Sequence, residues 1–172
     1  NAEMSRLLFN QCGITLDNLP DFKDTKFDIY DDSTIRKVMS QAYTLVQNYI
    51  DKFDIVTKRF IEHLGQIGVG KTQLLKCAFK YAVENSIYAN FTTAFNLNQD
   101  LLKCHISSLE EKNTILDKYL EPDLLCIDDL GTEIKYNNVT IEYLYLIINE
   151  RHERRKSTII TSNLDFAQIQ ST

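Results

Sequence analysis

One stretch constrains the fold of this chain more than any other: Gly65, Gln66, Ile67, Gly68, Val69, Gly70, Lys71 and Thr72. Three of the five glycines in 172 residues fall within six positions. The spacing G-x-x-x-x-G-K-T is that of a loop whose backbone N–H groups converge on a phosphate. Glycine is required there because the backbone must approach the anion closely, and the helix that follows adds partial positive charge at its N-terminus. Lys71 is expected to reach the β- and γ-phosphates, and the Thr72 hydroxyl to ligate Mg²⁺. Gln73, in the first turn of the helix, completes the expected nucleotide-contacting set. A glycine-rich turn with an incidental Lys-Thr is the competing reading. It is weakened by context, since the strand-like "FIEHL" precedes the loop and an apolar helical run follows it.

Short apolar runs alternate with helical segments along the rest of the chain. Residues 34–53 place Ile35, Val38, Met39, Ala42, Leu45, Val46, Tyr49, Ile50 and Phe53 at helical spacing, with Ser33 as the expected N-cap. After "FIEHL" come a helix over 71–85, the strand "SIYANF", helices over 94–105 and 109–120, the strand "DLLCID", a helix over 140–155, the strand "STIIT" and a helical start at "DFAQI". Parallel strands need crossovers that helices can supply, so the pattern predicts an α/β fold, a parallel sheet with helices on both faces. "FIEHL" is an imperfect central strand, because Glu62 and His63 interrupt it. Residues 1–32, with Pro20 and the acidic "DFKDTKFDIYDDS", read as an extended leader without a core of its own, and 33–172 as one domain.

"LLCIDDLG" carries the second piece of chemistry. An apolar strand ending in two acids delivers carboxylates to the carboxyl edge of a parallel sheet, where open α/β sheets bind ligands. Asp128 is assigned to Mg²⁺ and Asp129 to the attacking water; a strand end capped by a turn is the plainer alternative. "STIITSN" is the third element, ending an apolar strand in Thr161 and Asn163, neutral polar groups that would lie beside Asp128 and the γ-phosphate. Asn163 is the preferred residue for that position, ahead of Thr161, although an Asn at a strand end is often a turn residue. The cations of "NERHERRKS", Arg151, Arg154, Arg155 and Lys156, suit a helix C-terminus and an i,i+4 pair from Glu150 to Arg154. A subunit-interface or DNA-backbone contact is their sharper reading.

Composition narrows the class. No stretch approaches the roughly 18–20 apolar residues of a membrane helix, and the N-terminal residues lack signal-peptide zoning. Cys12, Cys77, Cys104 and Cys126 are scattered, without metal-ligand spacing, and read as buried reduced thiols in a cytoplasmic protein. A net charge of −5 argues against nucleic-acid binding by bulk charge and leaves a local basic stripe open.

In order and in wording, "FDIYDD", "GVGKTQLL", "TTAFNLNQDLLKCH", "LEPDLLCIDDLGTE" and "VTIEYLYLIINERHERRKSTIITSNL" resemble the DnaI/DnaC family of bacterial replicative-helicase loaders, which are AAA+ ATPases. The resemblance covers most of 27–164. It implies a three-layer P-loop NTPase core, ATP and Mg²⁺ as ligands, self-association in the ATP state, and delivery of a replicative ring helicase onto single-stranded DNA. It also implies a catalytic set of Lys71, Asp129 and Asn163, with Asn163 as the sensor of the γ-phosphate. The segment 91–105 corresponds to the family's DNA-contacting helix, with Phe95, Asn98 and Lys103 available, although Phe95 fits a helical core pattern equally well. Two departures stand out: Asp129 is one methylene shorter than the usual glutamate, and the arginine-finger, second-sensor and helicase-binding segments of the family have no counterpart in 1–172, so a core of a longer protein is expected. Transposase-assisting ATPases share "DDLG" and "TSN" and are the nearest alternative. A nucleotide-gated adaptor with little turnover is another; a small-molecule phosphotransferase would need lid arginines that are not evident.

Overall fold

The computed structural model describes residues 16–29, 31–51, 61–64, 70–131 and 138–162. Two 3-10 turns, Leu16–Asn18 and Phe22–Asp24, precede helix α1 (Ser33–Asp51). Then follow β1 (Ile61–Leu64), α2 (Lys71–Glu84), β2 (Ala89–Thr93), α3 (Ala94–Ile106), α4 (Leu109–Leu120), β3 (Leu124–Leu130), α5 (Asn138–Glu153) and β4 (Ser157–Ser162). The expected elements over described residues are all present, with shifted ends: α5 is Asn138–Glu153 rather than 140–155, and β3 runs past the acids to Leu130. Within "FIEHL", Ile61–Leu64 form a short strand of four residues, and Phe60 lies outside the described residues. "DFAQI" lies outside the described residues.

The four strands form one parallel sheet in the order β1-β4-β3-β2. Two later strands thus separate β1 from β2, and the helical crossovers carry the chain across the sheet. Alternate residues of the central strands feed two separate cores. Leu124, Cys126 and Ile159 join α1 and α2 on one face, while Leu125, Ile127 and Ile160 join α3, α4 and α5 on the other. That is a three-layer arrangement. Val46, Phe79, Leu97, Leu101 and Ile147 are wholly buried in these layers.

Local chemistry sets the helix starts. Thr93 accepts from the Asn96 N–H at 3.2 Å to cap α3, and Ser108 with Glu111 forms a reciprocal capping box on α4. At α1 the capping side chain is Asp32 instead of the expected Ser33, because the Asp32 carboxylate accepts from the N–H groups of Thr34 at 2.7 Å and Ile35 at 3.3 Å. These two bonds hold its pKa below the ordinary carboxylate value.

The described part of the leader builds no core of its own, yet it docks on this one. Leu16 and Leu19 join the core on the α1–α2 side. Phe22 meets the rings of Tyr43 and Tyr81 edge-on, at centroid distances of 6.0 and 5.5 Å, and Phe27 meets Tyr43 at 5.2 Å. Lys80, buried on α2, donates to the Leu19 carbonyl at 3.2 Å and pairs with Asp21 at 3.0 Å. Lys80→Met is therefore expected to lower stability by about 2 kcal/mol, a drop of about 4–8 °C in melting temperature. Hydrogen exchange should show the loss of protection concentrated in residues 16–29.

Candidate nucleotide-binding site

Three elements converge at the carboxyl edge of the sheet: the N-terminus of α2, the end of β3 and the end of β4. Gly70 caps α2 with φ of 83°, a left-handed conformation natural to glycine and costly for a residue with a Cβ. The chain thereby turns directly into Lys71 and Thr72 at the positive end of the helix dipole. Gly65, Gln66, Ile67, Gly68 and Val69 lie outside the described residues, and Gln73 is exposed in the first turn of α2.

Thr72 donates to Asp128 Oδ1 at 3.1 Å, which ties the helix end to the strand end. Thr161 donates to the same oxygen at 2.6 Å, and its hydroxyl accepts from the backbone N–H of Asp129 at 3.0 Å. Asp128 is only 4% exposed, whereas Asp129 reaches solvent. A buried carboxylate needs such donors, since desolvation otherwise disfavours its charge. Burial lowers the pKa of Lys71, and the negative charges of Asp129 and then Asp128 act in the opposite direction. A polyphosphate bound there would place acceptor oxygens and negative charge beside the ammonium.

Lys71, Thr72, Asp128 and Asp129 are accordingly brought together as the spacing of the two motifs implied. Asn163 lies outside the described residues, and the β4 residue seen to touch the acids is Thr161. Nothing near Thr161 in the sequence reveals which residues of β3 it faces. Asn98 is buried, while Phe95 is 60% exposed and does not fill the core.

The basic run divides. Arg151 is fully buried and donates to the Tyr119 carbonyl at 2.7 Å, the Pro122 carbonyl at 2.8 Å, Thr158 Oγ1 at 2.9 Å and the Ser157 carbonyl. Burial draws its pKa down to about 10, so it stays charged at neutral pH. Arg154 pairs with Glu150 at 2.7 Å, as expected, and with Glu121 at 3.1 Å. Lys156 bonds the Glu121 backbone carbonyl. Cys77, Cys104 and Cys126 are buried free thiols, and burial pushes Cys77 up to about 11. Among the described residues no helix is long and apolar enough to cross a membrane.

Compared with known families, the chain matches the IstB-like ATP binding protein family over residues 15–172. The chain belongs to this family. No curated protein matches it in sequence. Solved structures share its α/β, P-loop NTPase-like fold. DnaI superposes with a TM-score of 0.67 at 22% identity, covering 91% of this chain and 75% of DnaI. The DnaC helicase loader gives 0.67 at 22%, covering 87% and 85%. A DNA replication initiation factor gives 0.65 at 20%, covering 86% of this chain; the chain spans only 43% of that protein's length.

Proposed function

We propose that this IstB-like domain binds and hydrolyses ATP with Mg²⁺ and works as a helicase loader, delivering a replicative ring helicase onto single-stranded DNA. The observation that carries the ATPase reading is the hydrogen-bonded connection from Thr72 through Asp128 to Thr161. It joins a phosphate-loop helix to a buried carboxylate and to the neighbouring strand. Thr72 and Asp128 offer the hard oxygen donors that suit Mg²⁺, an ion that takes one or two protein groups and otherwise phosphate and water oxygens. Bound there, Mg²⁺ would neutralise charge on the transferring phosphoryl group. Lys71 binds the outer phosphates, Asp129 takes the proton of the attacking water, and Asn163 reads the γ-phosphate, with Gly65, Gln66, Ile67, Gly68, Val69, Gly70 and Gln73 around the nucleotide.

Asp129→Asn is expected to keep ATP affinity and lose about 100-fold or more in turnover. Nucleotide titration and steady-state phosphate release, with and without single-stranded DNA, separate the two quantities. Equal turnover in the variant and the parent would remove Asp129 from the mechanism; no turnover in either would favour a nucleotide-gated adaptor.

The loader assignment draws on the motif order and on the fold shared with DnaI and the DnaC helicase loader. Phe95, exposed on α3, is a stacking platform suited to an unpaired base, a contact worth about 1–3 kcal/mol. A cytoplasmic, ATP-dependent self-associating protein follows from the same reading. The family match favours a second one, an ATPase that assists an insertion-sequence transposase. Co-purification decides between them: a replicative helicase retained only with ATP supports the loader, and a transposase in its place supports the alternative.

A further inference from the structure

Among the described residues the sheet register breaks once, at the candidate nucleotide site. Strands β3 and β4 pair Ile127 with Ile160 and next Leu130 with Ser162. Asp128 and Asp129 therefore face a single residue, Thr161, which is the arrangement of a β-bulge. Asp129 takes φ of 58°, the left-handed region that Asp tolerates better than most residues. Adjacent side chains of an unbroken strand point to opposite faces. A bulge re-aims them, and here both acids act electrostatically on Lys71.

A bulge also interrupts the backbone ladder. The Thr161 hydroxyl fills that gap, accepting from the Asp129 N–H at 3.0 Å while giving its own hydrogen to Asp128 Oδ1 at 2.6 Å. One hydroxyl thus uses its donor on the first acid and a lone pair on the second. Thr161 is 1% exposed, so water does not readily replace it.

We propose that Thr161 is a positioning residue for ATP hydrolysis, its hydroxyl holding the bulge that presents Asp128 to Mg²⁺ and Asp129 to water. This rests on the ATPase reading above. It differs from the role given to Asn163, because Thr161 acts through the acids and needs no contact with the nucleotide.

The test uses the full-length protein with Thr161→Val, which keeps the shape, and Thr161→Ser, which keeps the hydroxyl. Affinity for a non-hydrolysable ATP analogue is measured in EDTA and across a Mg²⁺ titration, alongside turnover and melting temperature. Thr161→Val is expected to bind the analogue normally in EDTA, to shift the Mg²⁺ midpoint upward by about tenfold, and to lose about 10–100-fold in turnover. Thr161→Ser should recover most of both. A valine variant that matches the parent in midpoint and turnover overturns the inference and leaves the ATPase reading intact. So does a serine variant as impaired as valine, which would assign the effect to packing. A parent protein that binds no nucleotide overturns the ATPase reading itself.

Discussion

Lys71→Ala is expected to bind ATP at least about 100-fold more weakly than the parent protein, with the fold retained. Hydrogen bonds between an ammonium and phosphate oxygens contribute about 1.5–3 kcal/mol each, and more where water is excluded. Lys71 is 6% exposed at the N-terminus of α2, so its contacts would form in such a place. Burial lowers its pKa, and the charges of Asp129 and then Asp128 act in the opposite direction. With these effects opposed, the melting temperature should move by no more than about 2–4 °C. Isothermal titration with ATP, with the melting curve as the folding control, reads both quantities. Unchanged affinity in a folded variant would sink the nucleotide-site assignment.

Arg151→Met should strongly lower stability. The guanidinium is the shared donor for the end of α4, the connection from α4 to β3 and the start of β4, through the Tyr119, Pro122 and Ser157 carbonyls and the Thr158 hydroxyl. Methionine fills much of the volume and donates nothing. Each buried acceptor left without a donor costs about 1–3 kcal/mol, partly offset by no longer burying a cation. The net expectation is a loss of about 4 kcal/mol, or about 8–16 °C in melting temperature for a domain of this size. Arg151→Lys should fall between, since one ammonium cannot span the four acceptors that a planar fork reaches. Circular dichroism melts measure this directly. A methionine variant within 2 °C of the parent, an approximate threshold set by the usual scatter of surface substitutions, would show that the acceptors find other donors.

Much of the site was legible because its signals are local. The glycine spacing around Gly70 is written in consecutive residues, and so is the apolar run that ends in Asp128 and Asp129. Helix periodicity likewise located α2, α3 and α4, since a 3.6-residue repeat is a property of one segment. Arg151 was not legible. Its neighbours in sequence, Arg154 and Lys156, do form ion pairs around Glu150 and Glu121, and nothing in "NERHERRKS" marks one cation as the buried one. Phe95 was ambiguous for a related reason: it lies beside Ala94 and Leu97, which are buried, and only the packing of α3 decided that its ring stays in solvent.

The sequence by itself determined that this chain alternates strands and helices, that the spacing G-x-x-x-x-G-K-T leads into α2, and that two acids end a buried strand. Those properties follow from residue spacing within single elements. Only the tertiary structure decided that β4 lies between β1 and β3, that Asp128 and Asp129 share a bulge opposite Thr161, and that Arg151 joins the end of α4 to the start of β4. The reason is physical. Periodicity reports which face of an element avoids water, whereas the partner of a buried polar group depends on which strand comes to lie beside it.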